Sequence, residues 1–374
     1  MRIAVFSEVY WPMVSGVGLT LRRLAQGLAA RGHAVRVYSA TYGGGGNPPP
    51  EVHASPSVPL FLYPDVQWAF PRMARITTDL ADFRPDVVHV ATEFAMGLAG
   101  LRAAGRLGVP VVASAHTDYE RYAGRYGLGW VLDAGWHWLR WFYGHAALVL
   151  CPSRVYEAHL HARGVRHTAI WSRGVGAGFD PRHRSAAWRE RFGAPVVLSV
   201  GRLAREKNVR LLLEAWRRLG PRRGTASLVF VGRGPLAGEV AGCGVPGVHL
   251  AGVLEGGELA RAYASADLFA FPSTTETFGN ALLEAMASGL PSIAARAGGV
   301  LEFAEHGRNA WLVDPDDVGA LTRGLALLLA DPARRMELAA GAVVTARARS
   351  WDAVLDGVLV DYRRVAGGEA SRAA

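Results

Sequence analysis

The chain has a single lysine, Lys207, against forty arginines, and it lies five residues after Arg202 in GRLAREKN (201–208). The apolar run PVVLSV precedes this segment and a helical pattern follows it, so both cations fall on one strand-to-helix turn. Where almost every basic position is filled by a planar guanidinium, the one compact ammonium calls for a flexible point charge, as when a single phosphate oxygen must be met. Two cations on such a turn suit a diphosphate. The pattern GxxxxGK[ST] is missing, which excludes a P-loop of the ATPase kind. A solvated basic turn, partly neutralised by Glu206, is the plain alternative.

Three further places carry candidate chemistry. PSTTETFGNALLEAMASGLP (272–291) passes from a strand end through a loop into a helix starting near Gly279 or Asn280, which would aim free backbone N–H groups and a partial positive charge at phosphate oxygens. Glu276 on the loop and Glu284 on the helix, eight residues apart, can accept from two hydroxyl pairs of one extended ligand, such as a sugar and a ribose. The alternative is an ordinary helix with Glu276 complementing its dipole. VYWPMVSGVGLTLRRLAQGL (9–28) holds a glycine loop in which Gly16 could let backbone approach a ligand, or simply form a turn. Leu21 and the ending of the second strand in Ser39 and Ala40 break the dinucleotide fingerprint and disfavour a nicotinamide enzyme. His116, directly after VPVVASA, can hydrogen-bond a substrate hydroxyl or a developing anion, with Asp118 a local candidate to orient it; a structural strand-end histidine is the alternative.

The elements that must position these residues are strands alternating with helices. IAVFS (3–7), AVRVYS (34–39), DVVHVAT (86–92), VPVVASA (109–115) and LVLCPS (148–153) are continuous apolar runs, as strands buried on both faces are, with a helix over about Leu19 to Arg31. RGVGAGFDP, from Arg173 to Pro181, loses periodicity. A second series follows: PVVLSVG (195–201), a helix (208–219), SLVFVG (227–232), VHLAG (248–252), a helix (256–265), LFAFPS (268–273), a helix (280–288) and PSIAA (291–295). The reading is α/β, two doubly wound units joined by a hinge, with GGGGNPPP (43–50) a loop inside the first. Ligands then collect at the carboxyl ends of the strands, in a cleft between two facing sheets.

Composition agrees. At 374 residues, two medium domains are expected, and 50% hydrophobic with 20% charged residues excludes a disordered chain. A net charge of +9 favours anionic partners. The basic residues are scattered, without the signature of a nucleic-acid-binding module, so a nonenzymatic nucleic-acid-binding protein is disfavoured. Two distant cysteines, Cys151 and Cys243, indicate neither a disulfide framework nor a thiolate metal site and fit a reducing compartment. The start MRIAVFSEVYWP reaches Glu8 too soon for a signal-peptide core, and no run approaches about 18 uncharged apolar residues. A cytoplasmic protein, soluble or peripheral on the inner face of the cell membrane, is expected.

Together, GR-x4-K and E-x7-E with FGN between the glutamates resemble the retaining glycosyltransferases of family 4 over nearly the whole chain. Within that family HTDYERYAGRYGL (116–128), YGHAALVLCPSRV (143–155) and TETFGNALLEAMASGLP (275–291) are similar to bacterial GDP-mannose-dependent alpha-mannosyltransferases, while UDP-sugar-dependent members, including sulfoquinovosyl-lipid and other lipid-directed transferases, share much of the pattern. The resemblance implies the GT-B architecture of two facing Rossmann-like domains: an acceptor-binding domain (1–172), a hinge (173–185), a donor-binding domain (186–348), a helix (349–366) crossing back to the first domain, and a tail (367–374). It implies donor diphosphate on Arg202 and Lys207, ribose on Glu284, sugar hydroxyls on Glu276, and sugar and phosphates on the backbone of Phe278, Gly279 and Asn280. Gly16 would lie under the diphosphate, His116 near the reacting sugar, and Glu255, in GVLEGGELA (252–260), against the guanine N–H donors. Ser15 and Gly176 depart from the family pattern in the glycine loop and the hinge. A sugar-nucleotide epimerase of the same architecture would need acid and base groups around a sugar carbon that this sequence does not place.

A departing nucleotide diphosphate gains negative charge, which Arg202, Lys207 and the helix end at Gly279 can meet without cofactor or metal. The one D-x-D string, Asp314 to Asp316, precedes an apolar-periodic helix and reads as its cap. Retention by same-face attack or through a covalent intermediate both stay open, since no residue stands out as a nucleophile. RYAGRYGLGWVLDAGWHWLRWFY (121–143) holds four of the eleven tryptophans with Arg121, Arg125 and Arg140, suited to an anionic bilayer surface or a lipid-linked acceptor, with core packing of a helix as the alternative.

Overall fold

Val-rich runs without polar alternation become parallel strands in the computed structural model of the chain, which describes residues 1–13, 15–42, 48–60, 63–120, 132–176 and 178–368. The first series runs β1 (Arg2–Ser7), α1 (Gly16–Ala30), β2 (Ala34–Ala40), β3 (Val52–Ser55), β4 (Ser57–Leu60), β5 (Tyr63–Ala69), α2 (Met73–Phe83), β6 (Val87–Val90), α3 (Ala95–Leu107), β7 (Val111–Ser114), α4 (Leu132–Gly144), β8 (Leu148–Cys151), α5 (Arg154–Ala162) and β9 (Thr168–Ile170). Seven of these strands form a parallel sheet in the order β3-β2-β1-β6-β7-β8-β9, and β4 pairs with β5 in a separate antiparallel hairpin.

The second series runs α6 (Ala186–Phe192), β10 (Val196–Val200), α7 (Val209–Leu219), β11 (Ser227–Val231), α8 (Ala237–Ala241), β12 (Val248–Gly252), α9 (Gly256–Ser265), β13 (Leu268–Phe271), α10 (Asn280–Ala287), β14 (Ser292–Ala295), β15 (Trp311–Val313), α11 (Val318–Ala330), α12 (Pro332–Arg347) and α13 (Trp351–Ala366). Its sheet has the order β12-β11-β10-β13-β14-β15, all parallel. Side chains alternate across it: Val196 and Leu198 join one buried cluster with Phe269 and Leu282, while Val197 joins another with Leu268, Leu212 and Trp216.

Strand order reverses between β1 and β6 in the first sheet and between β10 and β13 in the second. Each pair of carboxyl ends is therefore a topological switch point, where open α/β sheets hold ligands. Among the described residues the chain forms two compact units: residues 1–117, 132–172 and 352–368 make one, residues 118–120 and 173–351 the other. The last helix serves the first unit. Leu355, Val358, Leu359, Tyr362 and Val365 recur at helical spacing and are buried with Ile3, Val5, Leu21 and Leu24. Full burial of each aliphatic side chain is worth about 1.5–3 kcal/mol, which holds α13 to the sheet of the opposite chain end.

Boundaries differ from the sequence reading in informative ways. The first helix starts at Gly16 rather than Leu19, because Ser15 caps it by accepting from the Gly18 N–H at 3.0 Å. Strands β3, β4, β5, β9 and β15 were not expected; all but the seven-residue β5 are three or four residues long, which gives apolar periodicity little to act on. Residues 43–47 of the GGGGNPPP loop, Ala177 of the hinge and residues 369–374 of the tail lie outside the described residues.

Candidate active site

The second unit places two of the sequence motifs side by side. GRLAREKN leaves β10 and forms a 3-10 turn at Arg205–Lys207, and STTETFG leaves the neighbouring strand β13 to enter α10. The two loops are stitched together by bonds that neither stretch reveals alone. Ser273 and Thr275 hydroxyls each donate to the Glu206 carbonyl at 3.3 Å, and the Asn208 amide donates to the Pro272 carbonyl at 3.0 Å. Asn208 stands in the left-handed region, φ 54°, which lets the turn end and α7 begin.

Lys207 Nζ donates to the Glu276 carboxylate, so the lone ammonium and the loop glutamate form an ion pair. Neither is a solvated surface group: their side chains are 25% and 14% exposed. Arg202 lies 3.7 Å from Glu206, whose side chain is fully buried beneath the turn. Burial pushes the Arg202 guanidinium below its usual pKa, and Glu206 opposes that shift. Glu206 thus serves as a buried counter-ion to Arg202, not as the neutraliser of an exposed turn.

The Glu276 segment is held from beneath. Its carbonyl accepts from the Gly299 N–H at 2.7 Å, and a Cβ at position 299 would come 2.0 Å from the Thr277 carbonyl oxygen, so only glycine permits this contact. Phe278 turns its ring into the core against Phe303, with centroids 5.0 Å apart, leaving only its backbone to face a ligand. Gly279 precedes α10 at φ 103° with no side-chain cap, so the first N–H groups of α10 have no intrahelical partner. Asn280 opens the helix. One turn later Glu284 accepts from the buried Tyr263 hydroxyl at 3.2 Å, and burial raises the Tyr263 pKa well above the ordinary phenol value.

Glu255 stands apart from this group. It is exposed after β12, the edge strand two places from β10, where it precedes α9 without a side-chain capping bond. Sequence reasoning passed over Arg233, which follows β11 in GRG and lies close enough to Arg202 to lower its pKa further. The signal was available, a cation directly after a buried strand, but one arginine among forty does not draw the eye. The D-x-D string divides its roles in an unexpected way: the cap of α11 is the next residue, Asp317, accepting from the Ala320 N–H at 2.8 Å, while Asp316 accepts from Asn208 at 2.7 Å. Among the described residues no cluster of three His, Cys, Asp or Glu side chains is arranged to hold a metal ion.

The first unit carries Gly16 and His116. Gly16 is the exposed first residue of α1, whereas the tight approach falls to Gly18, where a Cβ would sit 3.0 Å from the Tyr10 carbonyl oxygen. His116 Nε2 is 2.8 Å from Ser114 Oγ, and its ring makes a T-shaped contact with Trp171 at 5.5 Å between centroids. Glu8, after β1, is buried, accepting from the Thr92 hydroxyl and the Met96 N–H at the start of α3; burial nonetheless raises its pKa.

Of the aromatic segment 121–143, residues 121–131, including Arg121 and Arg125, lie outside the described residues. The rest forms α4, which divides its aromatics: Trp136 and Phe142 are buried, whereas Trp138 and Trp141 stack at 5.0 Å and are 36% and 46% exposed. Trp138 Nε1 donates to the Glu93 carbonyl, beside the exposed Phe94, whose ring lies 6.4 Å from that of the exposed Trp68. No helix among the described residues is long and apolar enough to cross a membrane.

Comparison with known proteins identifies the family and the fold. Residues 14–177 match the profile described as Glycosyltransferase Family 4, and residues 194–331 match that of Glycosyl transferases group 1. The chain is 36% identical to a GDP-mannose-dependent alpha-mannosyltransferase of Mycolicibacterium smegmatis, covering 100% of both proteins. It is 35% identical to sulfoquinovosyl transferase SQD2 of Arabidopsis thaliana, over 75% of this chain and 57% of that one. Among solved structures, sucrose-phosphate synthase from Thermosynechococcus elongatus superposes with a TM-score of 0.79 at 20% identity, over 98% of this chain and 100% of the other.

Proposed function

The chain belongs to glycosyltransferase family 4 and has its GT-B fold, and from that premise we propose that it moves mannose from GDP-mannose, with retention of configuration, onto a lipid or glycan acceptor. The observation that carries the reading is the half-buried Lys207–Glu276 pair at the switch point between β10 and β13, beside Arg202 and the open N-terminus of α10. A nucleotide-sugar would exchange this internal pair for two external ones. Its diphosphate takes Lys207, Arg202 and the N–H groups around Gly279 and Asn280, while Glu276 turns to sugar hydroxyls and Glu284 to the ribose. As the bond between the sugar C1 and the diphosphate breaks, the acceptor hydroxyl oxygen bonds to C1, and its proton passes to the departing phosphate oxygen. The growing negative charge is met by side chains and a helix end, without a divalent ion.

Mannose and guanosine are favoured by full-length similarity to the mycobacterial alpha-mannosyltransferase, with Glu255 the candidate acceptor for guanine N–H groups. The exposed Trp138–Trp141 pair supports an acceptor presented at an anionic membrane surface, where amphipathic indoles reside. Purified protein incubated with GDP-mannose, UDP-glucose and UDP-N-acetylglucosamine, with and without EDTA, tests the reading. Slow release of mannose from GDP-mannose alone, unaffected by EDTA, is expected. Turnover of a UDP-sugar with GDP-mannose untouched overturns the donor assignment, and loss of turnover in EDTA that added magnesium restores overturns metal independence.

A further inference from the structure

A run of hydrogen bonds links the C-terminal helix to His116. Tyr362 Oη lies 2.5 Å from His89 Nδ1, His89 Nε2 lies 2.8 Å from Ser114 Oγ, and Ser114 Oγ lies 2.8 Å from His116 Nε2. Tyr362, His89 and Ser114 are all within 1% of complete burial, on α13, β6 and β7. The Trp171 ring centroid lies 5.5 Å from both imidazole centroids, in T-shaped contacts.

Proton counting gives this chain a direction. Burial raises the Tyr362 phenol far above its ordinary pKa, so it keeps its proton, and His89 is its one hydrogen-bond partner among the described residues. A buried O–H left without an acceptor is costly, so Tyr362 donates to His89 Nδ1, which must then be the unprotonated nitrogen. His89 carries its proton on Nε2 and gives that bond to Ser114. The serine, already accepting, has one proton of its own, and it goes to His116 Nε2.

We propose that Tyr362, His89 and Ser114 are positioning residues that hold His116 in its Nδ1–H tautomer, so that it meets the substrate as a neutral hydrogen-bond donor. The proposal rests on the reading that His116 lies beside the transferred sugar. It gives α13 a part in the chemistry that its packing alone does not imply. A donor N–H can bind a sugar hydroxyl oxygen or charge developing on it, whereas the opposite tautomer would offer a lone pair.

The tautomer can be read directly in the full-length protein, without ligand, by long-range 1H–15N correlation of histidine-labelled material, with His116 assigned by His116→Gln. A protonated Nδ1 and an unprotonated Nε2 are expected at pH 8; the reverse assignment, or a fast average of the two, overturns the relay. Tyr362→Phe and Ser114→Ala should each release the bias and lower kcat for donor turnover about tenfold, a barrier change of about 1.4 kcal/mol, with KM for the donor unchanged. Their double variant should be no slower than either single one, since both cut one chain. Unaltered tautomer and kcat in both folded variants would also overturn the proposal. Because the wild-type spectrum needs neither substrate nor variant, inactivity towards GDP-mannose leaves this result standing, and a wrong tautomer leaves the donor assignment intact.

Discussion

Lys207→Ala removes one of two half-buried cations at the β10–β13 switch point and leaves Glu276, only 14% exposed, without its partner. Two unit charges about 4 Å apart interact by about 4 kcal/mol at an effective dielectric of about 20, the regime of a site neither fully wet nor dry. The leaving diphosphate gains a charge in the transition state, so loss of one preorganised donor should cost about 2.7–4 kcal/mol, or about 10²–10³ in kcat. The fold should survive. A stability loss of about 1 kcal/mol lowers Tm by about 2–4 °C in a unit of this size. Lys207→Arg keeps the charge but replaces a compact head with a planar fork, and should fall between wild type and alanine. The unpaired carboxylate in Lys207→Ala also repels the incoming diphosphate, so Lys207→Ala/Glu276→Gln should bind GDP more tightly than Lys207→Ala yet remain slow. Initial rates of GDP-mannose turnover, with calorimetric GDP binding and a thermal melt, measure all three effects. If Lys207→Ala stays within about threefold of wild type in kcat/KM, the assignment of the lone ammonium to the diphosphate is refuted.

Gly299→Ala drives a methyl group into the Thr277 carbonyl, so the Glu276 loop must shift; turnover should fall at least about tenfold with a stability loss of about 1–3 kcal/mol, read by rate and melt together. Burial raises the Glu8 carboxyl pKa, so the folded chain keeps that proton where the unfolded chain has lost it, and stability falls as pH rises through this window. Tm of the wild type should therefore carry a downward component from about pH 4.3 upward that Glu8→Gln lacks, and identical Tm profiles would contradict the assignment. Trp138→Ala/Trp141→Ala should lose co-sedimentation with anionic liposomes at low salt while keeping donor hydrolysis; wild-type protein that fails to bind those liposomes removes the membrane reading.

What the sequence made legible follows from what local chemistry can encode. Apolar runs such as PVVLSV and LFAF locate buried strands, and a cation or carboxylate just after them must lie at a carboxyl end, so Arg202, Lys207 and Glu276 could be placed on loops before any coordinates. The pairing of Lys207 with Glu276 could not, because it joins positions 69 residues apart and depends on β13 lying beside β10. The Tyr362–His89 contact, across 273 residues, is farther still from any local signal. Helix boundaries erred where a polar side chain outweighed periodicity, as with Ser15 before α1 and Asp317, rather than its neighbours in D-x-D, before α11. Phe278 shows the opposite limit: the motif residue packs its ring into the core against Phe303, a role that the letters FGN do not reveal.

Since α13 is housed among Ile3, Val5 and Leu24, the unit bearing Lys207 is topologically an insert in a host whose two flanks close around the first sheet. Under the donor-site reading proposed above, the stretch 173–351, which holds all of that unit but the short segment beginning at Asp118, can be exchanged between relatives as one cassette with two junctions, at 172/173 and 351/352. A single-crossover chimaera that also replaced α13 would seat a foreign helix in the host's core and lose the native tyrosine behind His89, altering the recipient unit as well as the donor.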